Sequence, residues 1–487
     1  MPKAAGGISS LWTSPKDPVN RTSIATPDEP SSKTPRTFWI DLHGCAKNQV
    51  DAEEIRARLE AEGWTAREGP EGAGILVVNT CGFIESAKKE SLDAILSLKA
   101  RYPESKILMA GCLAQRYSQD LAADLPEADG IFGNGDLARI AEAAEDLRGG
   151  GRPVLVPDAA PLVRPPRSTL FSYPRSAYLK ISEGCSNRCS YCAIPLIRGE
   201  SRSRAVEDVA EEARDLVSRG IFELNLIGQD LGAYGMDSLG RPALPELLEE
   251  LRRIDADFRI RMLYIHPDHF PDPILDLCAR DPRILPYFDL PFQHASAPIL
   301  RAMNRRGDAE TYLRLIGRIR DRLPEAVLRS TFLVGFPGET DKDFEALRDF
   351  QDRARLTWLG AFEYSREEGT PAAGMNGRVP RKTASERRRR VEEAQRPITE
   401  EALRGFVGRE LEVLVEEPVE GEELSLGRSY AQAPEVDGLV VLNARLESGL
   451  VVRARVIAVN GVDVEAALYI DPRLVPESSP CPNFPST

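Results

Sequence analysis

Short apolar runs alternating with amphipathic stretches dominate this chain from Thr37 onward. Thr37-Phe-Trp-Ile-Asp-Leu42, Gly74-Ile-Leu-Val-Val-Asn79 and Lys106-Ile-Leu-Met-Ala110 read as strands. Helical periodicity fills the intervals, from Gln49 to Glu62 and from about Ile84 to Arg101, with another helix after the third strand. Apolar runs separated by helices predict a doubly wound parallel sheet buried on both faces. A glycine and proline-rich stretch, Gly149-Gly-Gly-Arg-Pro153 with Pro157 to Pro166, then marks a boundary. Strand–helix alternation resumes at Ala177-Tyr-Leu-Lys-Ile-Ser182 and runs through strands at 222–227, 259–264, 287–290, 328–334 and 358–362. Six such units predict an incomplete TIM-like barrel, (β/α)6, with functional groups at the carboxyl ends of its strands.

From Phe406 the period changes to two, as in Glu410-Leu-Glu-Val-Leu-Val415 and Leu450-Val-Val-Arg-Ala-Arg-Val-Ile457. That pattern predicts a small antiparallel β-barrel. The divisions expected are an N-terminal extension at 1–35, an α/β domain at 36–156, a linker at 157–172, the barrel with a connecting helix at 173–405, the β-module at 406–472 and a tail at 473–487. Both termini are rich in Pro and Ser without periodicity, which predicts disorder.

Charge narrows the partners. The formal balance of −13 argues against a broad grip on nucleic acid. Over 406–472 there are 13 acidic and 5 basic residues, a balance of −8, which suits a basic protein better than a phosphate backbone. The run Arg381 to Arg390 reads as a solvated helix balanced by Glu386, Glu392, Glu393, Glu400 and Glu401. No apolar run is long enough to span a membrane and no secretory h-region is visible, so a cytoplasmic, reducing location is expected.

Cysteines carry the chemistry. Cys185-Ser-Asn-Arg-Cys189-Ser-Tyr-Cys192 sits just after the first barrel strand, spaced C-x₃-C-x₂-C, with no fourth cysteine or histidine beside it. Three thiolates suit an iron–sulfur cluster with one open iron; a zinc knuckle with a distant fourth ligand, or unrelated buried cysteines, stay open at this point. Cys45, Cys81 and Cys112 each follow a strand of the first sheet, so the parallel topology brings them to one edge. They read as a second three-thiolate set, with zinc or separate burial as the alternatives. Cys278 reads as core and Cys481 as inert. Gln229 and Gln293 follow other barrel strands and can hold a polar ligand; His294 reads as structural, and His43, His266 and His269 lack ligand spacing.

With Tyr191 between its last two cysteines, the Cys185 motif is similar to the signature of the radical S-adenosylmethionine (SAM) superfamily. Both triads, the barrel and the terminal β-module together resemble the methylthiotransferase family of radical SAM enzymes, over about Arg36 to Asp471. Within it, Gly44-Cys-Ala-Lys-Asn-Gln-Val-Asp51, Gly111-Cys-Leu-Ala-Gln-Arg-Tyr117 and Gly427 to Gly438 are similar to the branch that modifies an aspartate of small-subunit ribosomal protein S-twelve. Ala46 and Gly228 depart from that branch's common proline and serine, and neither change removes a ligand.

The resemblance implies a TRAM domain at the C-terminus and two 4Fe-4S clusters with S-adenosyl-L-methionine. Cys185, Cys189 and Cys192 would hold the cluster that cleaves SAM to a 5′-deoxyadenosyl radical, with Tyr191, Gln229 and Gln293 as SAM contacts. Cys45, Cys81 and Cys112 would hold the cluster that presents the methylated sulfur. A low-potential donor such as flavodoxin or ferredoxin would supply electrons. The rivals are the branch that methylthiolates adenosine in transfer RNA and a non-enzymatic iron–sulfur or zinc binding protein.

Overall fold

A computed structural model describes residues 34–162 and 165–469. The extension and tail expected at the termini therefore lie outside the described residues, apart from Thr34 and Pro35, and so does Cys481.

The first sheet has six parallel strands, in the order Thr65–Ala66, Thr37–Leu42, Ile75–Thr80, Lys106–Gly111, Gly130–Phe132 and Val154–Leu155. Ile75–Thr80 is its buried centre, with Val77 in register between Ile40 and Leu108. Alternation along this strand serves two cores. Ile75 and Val77 pack with Ile55, Leu59 and Leu147, whereas Leu76 and Val78 pack with Ile95, Leu98 and Leu121. A central strand covered by helices on both faces must be apolar at consecutive positions, which is why its sequence reads as a solid run.

The second sheet is also six-stranded and parallel, ordered Trp358–Glu363, Val327–Val334, Ile284–Asp289, Arg259–Met262, Glu223–Ile227 and Ser176–Lys180. Its two edges stay unpaired to one another, giving the open barrel expected from six strand–helix units. Helices Val206–Ser218, Leu244–Leu251, Ala309–Arg322 and Asp341–Ala354 cover the convex face through Leu224, Leu226, Ile260 and Met262.

Residues beyond Phe406 close into a five-stranded barrel of strands Glu410–Pro418, Ser425–Arg428, Val440–Leu442, Asp463–Leu468 and Val451–Asn460. One correction applies to the purely antiparallel expectation: Val440–Leu442 pairs in parallel with Asp463–Leu468. Strands Ser425–Arg428 and Asp463–Leu468 also escape the sequence pattern. The first is four residues long and turns the charged Arg428 fully inward, inverting the signal that periodicity relies on.

The small barrel fills the concave face of the open one. Tyr178, Ile227, Tyr287 and Trp358 of the large sheet pack with Val413, Ala431 and Ala433. Charges at this contact are buried and paired. Glu223, fully buried, meets Arg428 at 2.7 Å and Arg261 at 3.2 Å, and Arg428 also binds Glu416. Tyr287 Oη donates to Asp437 at 2.6 Å, and Trp358 Nε1 donates to the Ala431 carbonyl at 2.7 Å.

The segment between the two parallel sheets is anchored at Arg167. Arg167 is buried and grips Glu53 of the first sheet's helix Ala46–Ala61, Glu212 of helix Val206–Ser218 at 2.7 Å, and the Tyr178 carbonyl at 2.8 Å. Helix Arg381–Arg404 lies along Trp358–Glu363, and its Arg388, Arg389 and Arg390 pair with glutamates of the protein itself.

Candidate active site between two cysteine triads

Cys45, Cys81 and Cys112 converge at the carboxyl edge of the first sheet. Cys45 precedes helix Ala46–Ala61 at its N-cap, Cys81 follows strand Ile75–Thr80, and Cys112 opens helix Cys112–Asp124. The turns are tight. Gly111 has φ +94°, and a Cβ there would stand 2.5 Å from Asn79 Oδ1, so only glycine hands the strand over to Cys112. Asn48 ties the edge together, its amide nitrogen donating to the carbonyls of His43 at 2.9 Å and Thr80 at 3.0 Å.

The second triad sits in the loop after strand Ser176–Lys180. Ser190, between the cysteines, is pinned to the barrel: its N–H donates to the Met303 carbonyl at 3.0 Å and its hydroxyl to the Ala302 carbonyl at 2.7 Å. Cys185 N–H donates to the Gly199 carbonyl at 3.1 Å, closing the loop's base. Gly184 enters it with φ +74°, where a Cβ would fall 2.1 Å from the Glu200 carbonyl oxygen. Tyr191 packs against Ile299, Met303 and Phe336.

Burial pushes the thiols of Cys112 and Cys192 up to about 12 and that of Cys185 up to about 11. Unliganded, they stay protonated at neutral pH; a bound metal deprotonates such thiols outright. Cys45 differs. Burial raises its thiol, but Lys47 and Arg198 outweigh that and bring it below the ordinary value. Cys45 is the exposed member of its triad, Cys81 being part-buried and Cys112 buried.

Each triad fits a four-iron cluster by donor chemistry. Each offers three soft thiols, and Cys192 Sγ accepts the Ile194 N–H at 3.5 Å. Cys112 Sγ accepts from Arg198 Nη2 at 3.2 Å and Asn134 Nδ2 at 3.6 Å. Among the described residues, no His, Cys, Asp and Glu side chains form a group able to hold a single metal ion.

The two sets are tied by one helix. Ile194–Arg198 follows Cys192 directly, and Ala193 and Ile197 pack on Cys112. Arg198 then reaches Asn48 Oδ1 at 2.8 Å, Asp51 at 2.9 Å and Glu183 at 2.8 Å. Lys180 completes a buried two-cation, two-anion cluster, bonding Asp51 and, at 2.6 Å, Glu183. Asn48 and Asp51 belong to the first sheet's helix; Lys180, Glu183 and Arg198 belong to the barrel.

Of the expected SAM contacts, Gln229 donates to Glu183 at 3.1 Å while its buried Oε1 has no donor, an orphan acceptor suited to a polar ligand. Gln293 is half-buried at φ 66°, its carbonyl accepting from Leu333 at 2.7 Å. His294 is buried, its Nδ1 accepting the N–H groups of Ala295 at 3.0 Å and Ser296 at 2.9 Å.

Sequence reasoning missed a polar network beside the Cys185 loop. Asp230 accepts from Asn187 Nδ2 at 2.9 Å, meets His269 Nδ1 at 2.7 Å and accepts the His266 N–H at 3.1 Å. Arg305 Nε donates to His266 Nε2 at 3.1 Å. The His269 ring serves the Asp230 carboxylate, whereas the His266 ring accepts from Arg305 and from the Asp268 N–H at 3.2 Å. Arg198 was equally silent, although it stands six residues past Cys192.

Family models match in three places: the radical SAM superfamily over 179–350, uncharacterized protein family UPF0004 over 37–133, and the TRAM domain over 407–468. The protein called ribosomal protein uS12 methylthiotransferase RimO in Treponema denticola is 47% identical, the match covering 88% of this chain and 99% of that one. The protein of that name in Geobacter sulfurreducens is 43% identical over 85% of this chain and 94% of its own. This chain belongs to the RimO family of radical SAM methylthiotransferases. As a member of that family it is an enzyme of radical SAM chemistry, using 4Fe-4S clusters and SAM. Of solved structures, the radical SAM methyltransferase TsrM from Kitasatospora setae, with cobalamin and a 4Fe-4S cluster bound, superposes with TM-score 0.50 at 16% identity. That match covers 69% of this chain and 74% of TsrM and speaks to the fold alone. No helix among the described residues is long and apolar enough to cross a membrane.

Proposed function

We propose that this enzyme methylthiolates the β-carbon of an aspartate in ribosomal protein uS12. The observation that carries the reading is that two cysteine triads, on two different sheets, are linked through helix Ile194–Arg198, which follows Cys192 and whose Arg198 binds Cys112 Sγ, Asp51 and Glu183. Cys185, Cys189 and Cys192 hold one cluster and Cys45, Cys81 and Cys112 the other. Tyr191, Gln229 and Gln293 contact SAM. When bound, these groups supply hydrogen-atom abstraction from an unactivated carbon and the methylthio sulfur, which no side-chain acid or base offers. The chain's own work is to hold, orient and shield. The buried ion cluster at Asp51, Lys180, Glu183 and Arg198 fixes the joint between the triads, and a carbon radical formed there needs shielding from stray donors.

The working units are 36–156, 173–405 and 406–472, joined by 157–172. The acidic balance of the chain suits a basic ribosomal protein. A low-potential donor of flavodoxin or ferredoxin type delivers electrons, and the enzyme works in the cytoplasm.

The test is anaerobic reconstitution, then reaction with SAM, reductant and a peptide around the uS12 aspartate, read by mass spectrometry. We expect about eight irons per chain and a peptide heavier by one methylthio group. SAM cleavage with an untouched peptide would move the substrate to transfer RNA. Ligand removal separates the triads: Cys112→Ala should hold about four irons and cleave SAM without transfer. Cys189→Ala should lose SAM cleavage itself. Identical behaviour of the two variants would overturn the division of labour.

A further inference from the structure

Lys47 is out of place by every structural criterion. It is 8% exposed and sits in the first turn of helix Ala46–Ala61, where the helix dipole disfavours a cation and where no acidic residue stands. Its ammonium makes no ion pair or hydrogen bond to the described residues; it lies 3.6 Å from the ring centroid of Tyr264. The charged groups around it are Cys45, Arg198, Glu183 and Asp289. The two carboxylates are already committed, Asp289 to Arg329 at 3.1 Å and Glu183 to Lys180 and Arg198 at 2.6 and 2.8 Å. Tyr264 and the neighbouring Cys45 attract the charge but leave the three ammonium donors without an acceptor, and buried donors are costly unless an acceptor reaches them.

Its position indicates what that anion is. Lys47 comes from the first sheet's edge, two residues past Cys45, and its platform Tyr264 stands just beyond barrel strand Arg259–Met262, at the strand ends that carry the Cys185 loop. Tyr264 adopts φ 67°, a conformation disfavoured for a bulky residue, and its carbonyl is fixed by the Leu231 N–H at 3.0 Å. The ammonium is therefore held in the joint between the triads. On the proposed reaction, which this inference rests on, the carbon modified is bonded directly to a carboxylate. We propose that Lys47 receives the side-chain carboxylate of the reacting aspartate and so sets the requirement for aspartate at that position. An ammonium is a compact point charge with three rotatable donors, suited to a carboxylate that arrives from one direction.

The experiment measures binding to the cluster-loaded full chain, under anaerobic conditions, of two peptides: one spanning the uS12 aspartate, the other with asparagine in its place. The native enzyme should prefer the aspartate peptide by on the order of tenfold to a hundredfold. Lys47→Gln should bring that ratio to about one, and Lys47→Arg, which keeps the charge, should retain most of it. A ratio left intact by Lys47→Gln overturns the inference. So does an equal loss of both peptides accompanied by a shifted reduction potential of the second cluster, which would make Lys47 the counter-charge of that cluster. A native enzyme that leaves the aspartate peptide unmodified overturns the proposed function instead, and the inference with it.

Discussion

Glu223→Ala should lower the free energy of unfolding by about 3–5 kcal/mol, because it removes the carboxylate that two buried guanidiniums share. Glu223 is fully buried on the concave face of the large sheet, and its carboxylate faces both Arg261 and Arg428. Burial alone would raise the Glu223 carboxyl, but the two arginines outweigh it and hold it at about 2, below its ordinary 4.5. The sign follows from that depression. The ionised form is favoured in the folded state, so its stabilisation is complete above about 4.5 and is lost as pH falls toward about 2. Denaturant titrations across that range should show a shallower acid dependence in the variant than in the native enzyme. An unchanged midpoint at neutral pH would mean that the contact between the small barrel and the large sheet is not held by this trio.

Arg198→Met should uncouple the two halves of the reaction. Without the guanidinium, Asp51 and Glu183 both lose the cation they share beside Lys180, a loss of buried compensation that costs about 3–5 kcal/mol at the joint. Asn48 and the Cys112 sulfur lose a donor at the same time. Because transfer depends on the placement of one triad against the other, the methylthiolated product should fall by about 100-fold, while SAM cleavage at the Cys185 loop continues. The measurement is the ratio of 5′-deoxyadenosine to modified peptide. A ratio equal to that of the native enzyme would leave Arg198 a stabilising residue only. Arg198→Lys should recover little, since a point charge cannot span Asp51 and Glu183 as the planar fork does.

The six cysteines proposed as cluster ligands stood out because their signals are local: a spacing of eight residues for one triad, a strand end for each member of the other. The parallel sheets followed for the same reason. Their solid apolar runs at Ile75–Thr80 and Glu223–Ile227 report burial on two faces wherever they occur. What escaped depends on partners distant in sequence. Asp230 and His269 meet across 39 residues, and Arg198 meets Asn48 across 150, with nothing at either position to announce the other. Charge counting over 406–472 also could not tell inward charges from outward ones. Glu416, Asp437 and Arg428 turn inward, Glu416 to Arg428 and Asp437 to Arg329 and Tyr287.

The small barrel's seat inside the open one bears on the order in which this polypeptide is made. All six strands of the large sheet, Ser176 to Glu363, emerge from the ribosome before Glu410 does, and the salt bridge from Glu223 to Arg428 spans 205 residues. During that interval Tyr178, Tyr287 and Trp358 have no covering layer, and Glu223 and Arg261 form a charged pair still open to water. Nascent chains that stop short of the last module should therefore be the species that chaperones hold and proteases clear, with the final folding step delayed until translation ends.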